Sequence, residues 1–251
     1  MKITILGSGT SHGVPVIGCS CDVCKSTDPN DTRTRSSILV EENDARILVD
    51  TSTDFRFQAL RENISHLHAV LITHAHADHI SGLDDTRSLT WEEPLPIYAS
   101  QDTADEIRTR FAYIFEGSHI GGAKPRIDLK ILGDGPTTIA QVNIRPIPIK
   151  HGDLDIFGFR FSSFAYLTDC SFISEESYSL LDGVEFLILG ALRYRPHATH
   201  FSIDEAVAAS SRIGARSTWL THMCHEVDHA RLAAELPNGV RPAFDGMILR
   251  P

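Results

Sequence analysis

The stretch "LITHAHADHISG", residues 71 to 82, decides how the rest of the chain is read. Behind an apolar run it sets His74, His76, Asp78 and His79 within six residues. Deprotonated imidazole and carboxylate are nitrogen and oxygen ligands, suited to Zn²⁺, Mn²⁺ or Fe²⁺. His74 and His76, two apart as the chain leaves a strand, point to the same side and can grip one ion. Asp78 and His79 fall on the following turn and face a second ion. One short segment therefore serves two metals.

The remaining chain supplies a frame for that segment. Short runs rich in Ile, Val and Leu recur at 3 to 6, 36 to 41, 45 to 50, 69 to 73, 95 to 100, 142 to 149, 163 to 169, 185 to 191 and 218 to 222, and they read as strands, several buried on both faces. Helix-like segments lie between them at 53 to 62, 101 to 116, 174 to 182, 202 to 213 and 228 to 235. Ser202 with Glu205 three residues on forms a capping box at the start of one of these. This alternation predicts an α/β fold with sheets between helices. There is no internal repeat, no linker and no heptad pattern, so residues 1–251 are expected to form a single domain.

Four further readings place the chemistry at strand ends. His74 follows "AVLIT", His151 follows "IPIK", Asp169 follows "AYLT" and His222 follows "TWLT". A sheet brings such positions to one edge, where loops hold a site on a rigid base. His151 would complete the first metal site and His222 the second. Asp169, a carboxylate able to bridge, would hold the ions about 3.5 to 4 Å apart, as two-metal hydrolytic centres require.

Composition excludes several alternatives. The 23 basic and 33 acidic residues give a formal net charge of −10, which opposes long-range attraction of nucleic acid. No apolar run reaches the roughly 18 residues of a membrane span, and "MKITILGSGT" passes from a short apolar run straight into glycines. A cytoplasmic location with no membrane contact is expected. The five cysteines are too few and too clustered for a secreted disulfide framework. Within "GSGTSHGVPVIGCSCDVCKS" (7 to 26), Cys19, Cys21 and Cys24 have the spacing of three thiolates on a tetrahedral zinc, which normally takes a fourth ligand. "LTHMCHEVDH" (220 to 229) offers His225, with Cys224 as a rival.

Together "THAHADH" (73 to 79), His151, Asp169 and His222 resemble the five motifs of the metallo-β-lactamase superfamily over the length of the chain. The resemblance implies a four-layer αββα sandwich with two divalent metals, zinc or manganese, at one edge of the paired sheets. It also implies that Asp50, ending "ARILVD", supports the ligand histidines from behind. The cysteine motif, "GVP" (13 to 15) and the ending "FDGMIL" (244 to 249) resemble the phosphodiesterase subfamily that hydrolyses cyclic ribose phosphates. There a histidine three residues past the last catalytic ligand completes a structural zinc site, a place that His225 fits. In "RPHATHFSIDEA" (195 to 206), His200 matches that subfamily's general-acid histidine, and Asp78 both ligates and orients the attacking hydroxide.

The function so implied is a dinuclear phosphodiesterase acting on small, cyclic phosphodiesters. The alternatives are a ribonuclease Z-like RNA-processing nuclease and a thioester or lactone hydrolase of the same superfamily. A small-molecule phosphodiester is the expected partner, nucleic acid is disfavoured, and a homodimer is a candidate assembly. Arg193 and His12 are the candidate substrate contacts, Arg195 being the rival of Arg193. "DDTRSLTWEE" (84 to 93) and "FAYIFEG" (111 to 117) are expected to cover the cleft.

Overall fold

Along Ser37–Glu42, Ile38 and Val40 point one way and Leu39 the other, and all three are buried. The same double burial holds at Ala45–Val49, where Ile47 and Val49 oppose Leu48, and at Phe164–Leu167, where Phe164 and Tyr166 oppose Ala165 and Leu167. Strands apolar on both faces need a layer on each side. A computed structural model, describing residues 1–116 and 124–251, shows how that need is met.

In chain order the first sheet takes β1 (Lys2–Gly7), β2 (Ser37–Glu42), β3 (Ala45–Val49), β4 (Ala69–Leu71), β5 (Leu95–Ala99) and β6 (Ile127–Ile131). The second takes β7 (Thr137–Ile139), β8 (Val142–His151), β9 (Leu154–Phe161), β10 (Phe164–Leu167), β11 (Phe186–Gly190), β12 (Ser217–Thr221) and β13 (Val240–Pro242). β14 (Ile248–Leu249) then returns to pair with β1. Strand order is β14-β1-β2-β3-β4-β5-β6 in one sheet and β13-β12-β11-β10-β9-β8-β7 in the other. Parallel pairing joins β3 to β6 in sequence and β10 to β13, so those strands all end at one edge of their sheet.

Three apolar clusters separate the layers. Between the sheets, Ile3, Ile38, Ile47 and Leu71 face Ile144, Phe159, Phe161, Tyr166 and Ile188. Outside the first sheet, Leu39, Leu48, Val70 and Ile97 pack on Phe55 of α1 (Phe55–Arg61), Ile80 of α2 (Ala77–Ile80) and Ile107 of α3 (Gln101–Arg110). A short α4 (Ala112–Phe115) follows. Outside the second sheet, Leu167, Leu187, Leu189 and Leu220 pack beside α5 (Glu175–Leu180) on Ile203 and Ala206 of α6 (Ile203–Ile213) and Leu232 of α7 (His229–Glu235). The arrangement is the αββα sandwich. Among the described residues, no helix is long and apolar enough to cross a membrane.

Several boundaries differ from the expected ones. The helix expected over 101 to 116 breaks at Phe111 into α3 and α4. β4 ends at Leu71, so His74 stands three residues past it, and His151 is the last residue of β8. β9 is absent from the sequence reading because Gly158 interrupts its apolar run. Here the glycine is what the sheet needs, since a Cβ at 158 would stand 2.3 Å from Leu167 Cδ2. The 84 to 93 stretch expected to cover the cleft instead lines a groove with Phe55, Leu60 and Ile64 on the α1 side. Gly117, the end of the second covering stretch, and His119 lie outside the described residues.

Phe159, fully buried between the sheets, gives a direct test of this packing. Phe159→Ala is expected to lower unfolding free energy by about 3 to 5 kcal/mol in urea titrations; a loss below about 1 kcal/mol would contradict the inter-sheet core.

Candidate metal centre

Strand ends deliver the chemistry, and they do so through unusual backbone. Asp50, Asp169 and His222, each just past a strand, have φ of 65°, 54° and 60°. Non-glycine residues in that left-handed region cost about 1 kcal/mol or more each and persist where the surroundings impose them.

His74, His76 and His151 form one group, and Asp78, His79, Asp169 and His222 a second, with ligand atoms of each group within 4.8 Å of one another. Asp169 lies beside both: its Oδ2 is 3.2 Å from His222 Nε2 and 3.9 Å from His74 Nε2, and its Oδ1 is 3.3 Å from His79 Nε2. Asp78 Oδ2 stands 3.3 Å from His79 Nε2 and 3.8 Å from His222 Nε2. The two-apart and next-turn spacing of the 74 to 79 segment thus divides between two groups as the sequence predicts. Its Asp78 and His79 lie on α2.

The outer nitrogens of His74, His79 and His151 are held from behind, whereas His222 Nδ1 is not. His79 Nδ1 donates to Asp50 Oδ2 at 2.7 Å, and Asp50 also accepts the Thr73 N–H at 2.8 Å and the Thr73 hydroxyl at 3.0 Å. Thr73 Oγ1 is 3.0 Å from His74 Nδ1, and His151 Nδ1 donates to the Thr199 carbonyl at 2.6 Å. By contrast, among the described residues the buried Nε2 atoms of His74, His79 and His222 make no well-aligned hydrogen bond, although carboxylate oxygens stand 3.2 to 3.9 Å away. Buried polar atoms are seldom left so, and outer nitrogens pinned while inner ones converge unpaired is how histidines present themselves to metal.

Charge tells the same story. Burial works against ionising Asp169, yet His222 and His79 hold its carboxyl well below the usual range. Burial likewise opposes a proton on His222, but Asp169 and Asp78 raise it to about 9. His79, against burial, is held well above its ordinary value by Asp169, Asp50 and Asp78. Ionised carboxylates enclosed this deeply call for cations, and the residues fit a pair of divalent ions.

At the far end of the strand-end turn, three sulfurs meet one nitrogen. Cys19, Cys21 and Cys24 Sγ lie 3.2, 3.6 and 3.6 Å from His225 Nδ1. Bonds of about 2.3 Å to sulfur and about 2.0 Å to nitrogen at tetrahedral angles put S and N roughly 3.5 Å apart, so these spacings fit a closed zinc site. Cys224, the rival fourth ligand, is buried and accepts the Glu226 N–H instead. A fully buried Arg33 braces the same corner, donating to the Cys224 and Val227 carbonyls at 3.2 and 2.8 Å and to Asp31 at 2.9 Å.

His200 sits against the paired groups, its ring 4.8 Å from His222 and 4.5 Å from His151. With His151 and Asp169 it makes a third convergent set. The expected capping box at Ser202 and Glu205 is present two residues later. Arg193 is turned onto the Arg195 and Pro196 carbonyls and toward Glu226, and His12 is exposed on a turn; neither belongs to a ligand group. Thr73, Thr199, Arg33 and Asp245 received no role from the sequence. Asp245 accepts from Ser8 and Thr34, tying the C-terminal "FDG" to the first glycine loop. These residues act through backbone groups distant in sequence, a relation that one-dimensional spacing does not carry.

A paired-sheet sandwich with histidines and carboxylates at one edge defines a class, and a beta-lactamase superfamily domain matches residues 45–223. The crystal structure of a new diphosphatase from the PhnP family superposes with a TM-score of 0.93 at 40% identity, covering 99% of this chain and 97% of that one. The chain belongs to the metallo-β-lactamase superfamily and, within it, to the PhnP family. An octanoyltransferase of Porphyromonas gingivalis is 40% identical over 98% of this chain, which spans about half, 51%, of that relative's length. Zn²⁺-bound PqqB from Methylobacterium extorquens shares the fold, with a TM-score of 0.83 at 18% identity over the whole of both chains.

Two substitutions test the ligand geometry. Asp50→Ala is expected to weaken metal binding about 10- to 100-fold in chelator-competition titrations, and unchanged affinity would remove its supporting role. Cys21→Ser should leave one bound ion fewer per chain by elemental analysis and lower the melting temperature; full metal content would rule out the thiolate site.

Proposed function

We propose that the protein is a metal-dependent phosphodiesterase that hydrolyses a small, cyclic phosphodiester. His74, His76 and His151 would hold one divalent ion and Asp78, His79 and His222 a second, zinc or manganese, with Asp169 between them. Cys19, Cys21, Cys24 and His225 would hold a structural zinc. Bound at the paired groups, such ions supply Lewis acidity toward phosphoryl oxygens and lower the pKa of water. The observation that carries the reading is the place of His200, an imidazole set against both ligand groups.

The chain's own residues then divide the work. Asp78 is within reach of both His79 and His222 and orients the attacking water by accepting its hydrogen bond. Attack of the water forms one P–O bond and breaks another, opening the ring; His200 donates its proton to the departing alkoxide oxygen, and the proton shed by the water passes to solvent, leaving a phosphomonoester. Burial and the His222 ring push His200 down to about 3 in the ligand-free chain; a phosphate anion beside the ring favours its protonated form. A net charge of −10 restricts the substrate to one gripped locally, which argues against a long nucleic acid. Arg193 and His12 remain the residues proposed to meet it, after a turn of the Arg193 side chain.

The diphosphatase relative favours a second reading, hydrolysis of a diphosphate bond in a small molecule. The two readings differ in leaving group. A phosphate departs with far less need of a proton than an alkoxide, so His200 matters less for a diphosphate. His200→Ala is expected to retain its metal and lose about 10²- to 10⁴-fold in kcat on a cyclic nucleotide. Wild-type turnover of cyclic nucleotides by that variant would sink the general-acid role. A preference of the native enzyme for nucleoside diphosphate diesters over cyclic nucleotides would select the second reading.

A further inference from the structure

His200 lies on a segment that leaves and rejoins the fold through a narrow neck. Leu192 N–H donates to the Phe201 carbonyl at 2.9 Å and Ile203 N–H to the Arg193 carbonyl at 2.9 Å, so residues 194 to 200 project as a loop. Thr199 touches the site through its carbonyl on His151. On its other flank the loop is gripped by one carboxylate. Glu226 Oε1 accepts from Arg195 Nη2 at 2.7 Å and Oε2 from Arg195 Nε at 3.2 Å, a bidentate pair, with Arg193 Nη1 at 3.7 Å. Arg193 in turn ties down the loop's interior by donating to the Arg195 and Pro196 carbonyls.

Glu226 follows His225, the histidine of the thiolate cluster, and comes four residues after His222. Arg33 grips the Cys224 and Val227 carbonyls on either side of Glu226 from the buried side, while the three sulfurs converge on His225 beside it. Glu226 is therefore spare: its carboxylate is not needed to shape the turn that presents it and is free to act outward. We propose that Glu226 is a positioning residue, tying the His200 loop to the corner fixed by the Cys19, Cys21, Cys24 and His225 cluster, so that the state of the thiolate site sets how firmly His200 is held. This rests on the reading of His200 as general acid. A bidentate arginine–carboxylate pair fixes direction as well as distance, which two flexible side chains with point contacts do not.

The pair is partly exposed, with Arg195 at 66% and Glu226 at 34% side-chain exposure, so the effect is modest. In the metal-loaded protein, Glu226→Ala and Glu226→Gln are expected to lower kcat on a cyclic nucleotide about three- to fivefold, the range open to an exposed pair. Metal content should hold. The loss should be smaller on bis-p-nitrophenyl phosphate, whose leaving group needs little protonation. Amide hydrogen exchange over residues 193 to 201 should quicken, and Glu226→Ala should add little in an Arg195→Ala background. Cys21→Ser should quicken the same exchange in the native background and not further in Glu226→Ala. Unchanged exchange over 193 to 201, or equal losses on both substrates, would overturn the proposal. Should His200→Ala itself turn over cyclic nucleotides at the wild-type rate, the general-acid reading fails, and the exchange data still report whether Glu226 tethers the loop.

Discussion

The carboxylate of Asp50 is the contact on which the site is built. It is fully buried, it leaves β3 through a left-handed turn, and it accepts from Thr73 N–H, the Thr73 hydroxyl and His79 Nδ1. Those bonds join two parallel strands at their ends and turn the imidazoles of the 74 to 79 segment inward. A buried carboxylate without such partners would be severely penalised, so hydrogen bonds that satisfy Asp50 also aim the histidines. Support and ligation are thus one network seen from two sides.

A second hub lies at the corner after β12. His222 faces the paired groups there, His225 faces three sulfurs, and Glu226 faces the His200 loop. Arg33 holds the backbone between them from a position shielded from solvent, with its charge matched by Asp31. The protein can afford a strained φ of 60° at His222 because the chain on either side is fixed by long-range contacts. The thiolate cluster and the paired groups thus draw on one short segment, His222 to His225.

Much of the site was legible in one dimension because metal ligands are few in kind and keyed to strand ends. The 74 to 79 spacing separates into two groups as a strand exit followed by a helical turn requires, and His151, Asp169 and His222 converge on them. Strands buried on both faces announced themselves through unbroken apolar runs. β9 escaped because Gly158 reads as a breaker when its neighbours in space are unknown; only the approach of Leu167 reveals why a side chain is forbidden there. The stretch from 84 to 93 was expected over the cleft and packs along α1 instead, since its apolar residues do not say which face they seek.

The sequence by itself determined the layered α/β class, the metal-ligating residue types, the thiolate spacing and the capped helix behind His200, because each depends on residues near one another along the chain. Tertiary structure alone decided which nitrogens are pinned and which are left to converge, how Asp169 comes to stand between the two groups, and that Arg33 holds the Cys224 and Val227 carbonyls while Glu226 pairs with Arg195. Those outcomes depend on backbone groups brought together across nearly the full length of the chain, and the geometry of such encounters exists only once the two sheets have packed.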